Sequence, residues 1–207
     1  MSAYIDATCI GIEAIRNYIW NNSIASHLGP CVKLFNREIL KDFNIRFPKD
    51  VSNGEDTIFV FEYLSNVQEL SVFESRNYIY RDVSGSLSHR IKSENITLNN
   101  YLRLRDSWAS FSGISINDSR LWVNGPLQPQ LNSYILSLFA DNRLGFSYRL
   151  SHIKRYREEL LAMYKYSEIN TSTIGRISSI LLGCKQYILY IMCYFVFVRY
   201  HLKLNVG

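Results

Sequence analysis

Two adjacent carboxylates follow a glycine in Gly54-Glu55-Asp56-Thr57-Ile58-Phe59, and this pair is the place in the chain where proton chemistry is easiest to imagine. Lys33-Leu34-Phe35 precedes it, and Tyr78-Ile79-Tyr80-Arg81 and Gly85-Ser86-Leu87-Ser88-His89 follow. These segments add an amine, a guanidinium and an imidazole. A carboxylate in such a position has two uses. It can start a helix: Ser52-Asn53-Gly54-Glu55 fits a capping box, in which Ser52 accepts from the backbone and Glu55 reaches back. Acidic residues in a first turn also complement the helix dipole. The other use is to take a proton as a general base. On local grounds alone the helix start is the stronger reading.

The elements that would carry these residues can be read from periodicity and breakers. Ile12, Ile15, Ile19, Trp20 and Ile24 recur at three- and four-residue intervals and predict a helix over Glu13 to Ser26, ended by Gly29-Pro30. Cys31 to Phe35 reads as a short strand or extended segment, and Arg37 to Phe43 as a short helix. A breaker-rich loop from Pro48 to Gly54 leads into a helix over Glu55 to Asn66. Leu70 to Phe73 and Asn77 to Arg81 read as strands, and Val83 to Ser88 as a loop. Helices are then expected over Ser93 to Ser112, Gln130 to Ala140 and Tyr148 to Tyr166, with a polar loop around Ile116 to Asn124. The character changes near His89 to Glu94, which divides the chain into 1–92 and 93–207.

From Ile177 to Val198 only Lys185 and Gln186 are strongly polar. A spanning helix needs about 20 predominantly apolar residues, and a lysine near its middle is costly. Arg176, Arg199, His201 and Lys203 at the flanks suit an interfacial helix that snorkels its charges. The expectation is a peripheral anchor at an anionic membrane surface. The net charge of +5 agrees with this, because its excess lies from Arg143 onward, beside the apolar end. Nucleic acid is not an expected partner, since no zinc spacing, aromatic RNA-binding signature or helix-turn-helix is visible. Cys9, Cys31, Cys184 and Cys193 form no CxxC pair and read as reduced, buried thiols of a cytosolic protein. The high aromatic content reads as core packing, with most tyrosines inside apolar runs.

Taken in order, Gly29-Pro30-Cys31-Val32-Lys33-Leu34-Phe35-Asn36-Arg37, the Ile45-Arg46-Phe47-Pro48 turn, Gly54-Glu55-Asp56 and the Tyr78 and Gly85 segments resemble the second half of a family 2 glycosyltransferase domain. The resemblance covers about Glu13 to His89. It implies an α/β fold, a partial GT-A domain of two to four strands with covering helices, followed by a helix-rich C-terminal region. It implies transfer of a sugar, with inversion, from a nucleotide-sugar donor to a glycan or lipid-linked acceptor in surface polysaccharide synthesis, at the cytoplasmic face of the cell membrane. Asp56 would be the base and Glu55 its neighbour, holding acceptor hydroxyls or the helix start. Lys33, Arg81 and His89 would face the diphosphate or acceptor, although each also reads as a solvated side chain. A divalent metal, Mg or Mn, belongs to the intact family domain, but its Asp-x-Asp ligands occur nowhere in this sequence. The nucleotide-holding half is expected from a separate chain, or lost by truncation, or changed into something else. The alternative function is a non-catalytic, membrane-associated or partner-binding remnant of the scaffold. A further reading is a helical membrane protein in which Glu55-Asp56 is only a cap.

Overall fold

A computed structural model describes residues 5–22, 24, 28–73, 93–123, 125–166 and 172–204. It begins with strand β1 (Ile5–Ile10), whose chain turns at Gly11 into α1 (Ile12–Asn21). Short α2 (Arg37–Asp42) and α3 (Glu55–Leu64) follow, then β2 (Glu69–Phe73). β1 and β2 pair antiparallel, with Cys9 opposite Leu70 and Ile10 opposite Glu69. After them come α4 (Glu94–Ser112), a 3-10 turn (Ser119–Trp122), α5 (Leu127–Ala140), α6 (Phe146–Arg155), α7 (Arg157–Tyr166), α8 (Thr173–Gly183) and α9 (Tyr187–Leu204).

The expected α/β GT-A architecture is overturned. The described residues are mostly helical, at 66% helix, and their one sheet has two strands. One physical reason is visible at Cys31 to Phe35, which was expected as a short strand or extended segment and joins no sheet among the described residues. Val32 sits at φ 57, which interrupts the extended run, and the Lys33 ammonium folds back onto the Gly29 carbonyl at 2.5 Å. Two long helical readings also divide. Tyr148 to Tyr166 is two helices broken at Tyr156, and Ile177 to Val198 is the α8–α9 pair with Lys185 in its turn. The expected strand over Asn77 to Arg81 and loop over Val83 to Ser88 lie outside the described residues. The cysteines are free, but burial holds for Cys9 alone. Cys31, Cys184 and Cys193 are exposed.

The chain forms two compact units. The first comprises Met1–Arg90 and Leu102–Pro126, the second Ile91–Tyr101 and Leu127–Gly207. In the first, Ile15 and Ile19 of α1 are buried, and so are Ile58, Phe61 and Leu64 of α3. Phe61 stacks on Trp108 at 5.1 Å and on Phe111 at 5.2 Å, while Trp20 lies parallel to Trp108 at 5.9 Å. Stacked rings of this kind add to simple burial. Arg16 ties α1 to this cluster by donating to the Phe111 carbonyl at 2.5 Å. In the second unit the core is again rich in rings. Tyr134, Tyr164 and Tyr190 are buried with Leu131, Leu160 and Met163, and the Tyr164 and Tyr190 hydroxyls share a hydrogen bond of 3.2 Å.

Candidate functional site

α3 opens on Gly54, which takes the left-handed conformation at φ 93 and ψ 3. A side chain there would be strained, so glycine is the residue that permits this entry. The expected capping box does not form, because the residue at the cap position is Gly54, which has no side chain to offer, rather than Ser52. Glu55 and Asp56 therefore occupy the first two helical positions, where the helix dipole favours negative charge.

The loop from Leu28 to Asn36 lies over this helix start. An added Cβ on Gly29 would sit 3.7 Å from Asp56 Oδ2, which places the carboxylate directly beside the Gly29 backbone. Lys33 Nζ donates to the Gly29 carbonyl at 2.5 Å and reaches the Cys31 carbonyl at 3.4 Å. Burial holds the Lys33 ammonium below its ordinary pKa, and the charges of Cys31 and Asp56 partly offset that shift. Two contacts fix the loop to the outer face of α3. The Phe35 ring stands edge-on to Phe59 and Tyr63, and the Asn36 N–H donates to the Tyr63 hydroxyl at 2.8 Å. Asn36 then caps α2 by accepting from the Glu38 N–H. Phe47, from the Ile45 to Pro48 turn, stacks on Phe59 at 4.3 Å and keeps about half of its surface exposed.

Glu55 adds an unusual feature. Its Oε2 is buried and accepts no hydrogen bond. A buried acceptor without a donor costs about 1–3 kcal/mol. A hydroxyl or amine brought to this helix start would supply the missing donor.

The structure thus brings together Asp56, Lys33 and Gly29, with Glu55 on the same first turn. Arg81 and His89, the other two expected site residues, lie outside the described residues. Among the described residues no group of three or more His, Cys, Asp or Glu side chains is arranged to hold a metal. The divalent metal that the resemblance implies does not fit what these residues offer, and no step is drawn through it. Val32 and Gly29 were not foreseen as parts of the site. For Val32 no sequence signal exists, since a β-branched residue disfavours positive φ.

A second polar cluster, in the second unit, also went unread. The Tyr134 hydroxyl meets His152 Nδ1, the Tyr148 ring stacks on His152 at 4.2 Å, and the Tyr148 hydroxyl donates to Glu94 Oε1 at 3.1 Å. Glu94 is buried at the start of α4. Burial, and then the nearby Arg155 charge, hold His152 below its ordinary pKa, while burial pushes Tyr134 up. The cluster was legible only as the four-residue spacing of Tyr148 and His152 on one helix. Its groups satisfy one another, and it reads as an internal polar network.

No family model, curated protein or solved structure matches this chain.

Proposed function

We propose that the start of α3 is the acceptor side of a sugar-transfer site. In this reading Asp56 takes the proton from an acceptor hydroxyl as that oxygen attacks the anomeric carbon of a nucleotide sugar. The new carbon–oxygen bond forms on one face. The bond to the nucleotide diphosphate breaks on the other, and its electron pair leaves with the diphosphate. The anomeric configuration inverts. The Lys33 ammonium is held on the Gly29 carbonyl and feels the Asp56 charge, and Glu55, with an oxygen that has no donor, holds a second acceptor hydroxyl.

The observation that supports this reading is the meeting of Gly29, Lys33 and Asp56 at one helix terminus, although 27 positions separate Gly29 from Asp56. The proposal stands on that local arrangement and not on a domain architecture. The acceptor proposed is a glycan or lipid-linked glycan of surface polysaccharide synthesis, met at the cytoplasmic face of the cell membrane.

A second reading is a partner-binding module without catalysis. It is favoured by the apolar side chains around the same loop: Leu34 is fully exposed, and Val32 and Phe43 are more than half exposed.

One experiment separates the two. The full chain is incubated with cell membranes and, in turn, radiolabelled UDP-glucose, UDP-galactose, UDP-N-acetylglucosamine and GDP-mannose, and label in the lipid and polymer fractions is counted. Sugar transfer predicts incorporation from at least one donor, reduced roughly 10²- to 10⁴-fold by Asp56→Asn. Incorporation that survives the substitution unchanged removes Asp56 as the base. No incorporation from any donor leaves the partner-binding reading in its place.

A further inference from the structure

The α8–α9 hairpin exposes an apolar face that the proposed chemistry does not use. On α9, Ile188 is 56% exposed, Met192 59% and Val196 68%, at successive four-residue steps, with Leu189 beside them at 50%. Residues so spaced share one side of a helix. On α8, which packs against α9, Ile180 is 64% exposed and Ile177 40%. Tyr190 and Tyr194 of α9 turn the other way and are buried, while Tyr187, Phe195 and Phe197 are half-buried. The large apolar side chains most exposed on this face are aliphatic.

Charge at the hairpin has one sign. Residues 172–204 contain Arg176, Lys185, Arg199 and Lys203 and no carboxylate. Arg176 is exposed on α8, and Lys185 is exposed in the three-residue turn between the helices. Lys154, also exposed, sits over the Tyr187 ring at the start of α9, 5.8 Å from its centroid. The Arg157 guanidinium donates to the Leu182 carbonyl at 2.9 Å and to the Gly183 carbonyl at 3.2 Å, so it braces the end of α8. It also pairs with Glu158.

We propose that this two-helix face is a docking surface for an anionic lipid bilayer. Aliphatic side chains gain from lipid tails without directional bonds, and cations at the rim meet lipid phosphates. A specific protein interface instead concentrates aromatic residues and arginine at its centre, and here the most exposed large apolar side chains are aliphatic. The helices lie on the membrane and do not cross it, since no helix among the described residues is long and apolar enough to span one. The surface differs from the single interfacial helix expected over Ile177 to Val198. It is assembled from two helices, and the lysine that would be costly within a spanning segment sits in the turn. This inference is independent of the sugar-transfer reading.

The test is co-sedimentation of the full chain with sucrose-loaded vesicles, either pure phosphatidylcholine or the same lipid with 30% phosphatidylglycerol. The proposal predicts strong partition onto the anionic vesicles and weak partition onto the neutral ones. Replacing Ile188, Met192 and Val196 together by serine should lower partition by more than about tenfold. Arg176→Gln with Lys185→Gln should lower it about twenty-five-fold on anionic vesicles, at about fivefold per cation. Circular dichroism establishes that each variant is folded; if the triple serine variant is not, the charge pair alone decides. Wild-type protein that stays in the supernatant overturns the proposal, as does binding that neither variant weakens. Self-association without vesicles that the serine variant abolishes would assign the face to a second copy of the chain and also overturn it.

Discussion

Gly125→Ala should be among the most damaging single-methyl additions in the first unit. A Cβ built on Gly125 lies 2.7 Å from Trp108 Nε1, 2.8 Å from the Leu121 carbonyl oxygen and 3.3 Å from Trp108 Cε2. The first two atoms are the ends of one buried hydrogen bond, in which the indole N–H donates to the carbonyl at 2.9 Å. The methyl can be admitted only by moving one end of that bond. Trp108 is held by Trp20, Phe61 and Phe111, and the Leu121 oxygen is backbone, so neither yields easily. Overpacking costs about 1–3 kcal/mol, and loss of the hydrogen bond adds about 1 kcal/mol. The total is about 2–4 kcal/mol, a large part of the roughly 5–15 kcal/mol that holds a typical domain together. Gly183→Ala makes a useful contrast. It ends α8 with nothing within 4 Å of its added Cβ, and should gain about 0.5–1 kcal/mol from helix propensity. Urea unfolding checks both. Trp20, Trp108 and Trp122 are the three tryptophans of the sequence and all belong to the first unit, so their fluorescence follows that unit. At a slope of about 1–3 kcal/mol per molar urea, Gly125→Ala should lower the fluorescence midpoint by about 1–2 M. Gly183→Ala should raise the midpoint seen by far-ultraviolet circular dichroism. A Gly125→Ala midpoint equal to wild type would refute the packing argument.

Two further predictions concern the second unit. Because His152 titrates below the ordinary 6.5 in the folded chain, the unfolded chain takes up that proton first. Stability from neutral His152, which faces Tyr134, Tyr148, Tyr156, Arg155 and Glu94, is complete above about pH 6.5 and falls as pH drops toward the folded value. Urea midpoints of wild type at about pH 7.5 and 5.5 should therefore differ more than those of His152→Phe; equal differences would remove His152 as the cause. Arg149→Met should cost about 3 kcal/mol, because the buried guanidinium donates to the carbonyls of Leu138 at 3.0 Å and Asp141 at 2.6 Å and to that of Leu144. A thermal melt within a degree or two of wild type would show that these carbonyls find other donors.

The parts of the fold legible in the sequence are those written by local signals. α1, α2, α3, β2, α4 and α5 fall where periodicity and breakers placed them, with ends shifted by a few residues. β1 was missed because Ile5 to Ile10 alternates only weakly and its partner strand lies about sixty positions away. The break between α8 and α9 was missed for a different reason. The Gln186 N–H donates to Leu181 and the Lys185 N–H to Leu182, which makes a Schellman motif with Lys185 at φ 57 in the place glycine usually takes. Gly183 stands two positions earlier, inside the helix, so the punctuation and the turn do not coincide. α2 ends by the same device, but with Asn44 at φ 48, a residue that tolerates the conformation. The fold class failed at a larger scale. The resemblance rests on short segments, and the sheet it implied depends on long-range pairing, whereas the Cys31 to Phe35 segment is interrupted by positive φ at Val32 and joins no sheet among the described residues.

Of the site, the sequence supplied residue types and the fold supplied their meeting. Nothing in the spacing of Gly29, Lys33 and Asp56 reveals that an Asp56 oxygen lies beside the Gly29 backbone, or that the lysine closes its own loop. What singles the site out is where local rules are broken. Asn44 and Lys185 have positive φ, and each ends a helix with its bonds satisfied. Val32 has positive φ, is β-branched and ends no helix. Gly54 begins α3 without a side-chain cap, and Glu55 buries an acceptor with no donor. All three departures lie at one helix start or in the loop placed over it. Backbone strain and unsatisfied polar groups persist where the surrounding structure compensates for them, and they gather at sites that bind or react. A helix start that served only as a cap would gain from a capping side chain at the Gly54 position and from a donor to Glu55 Oε2. This one has neither, which favours a ligand for these carboxylates over a purely structural role.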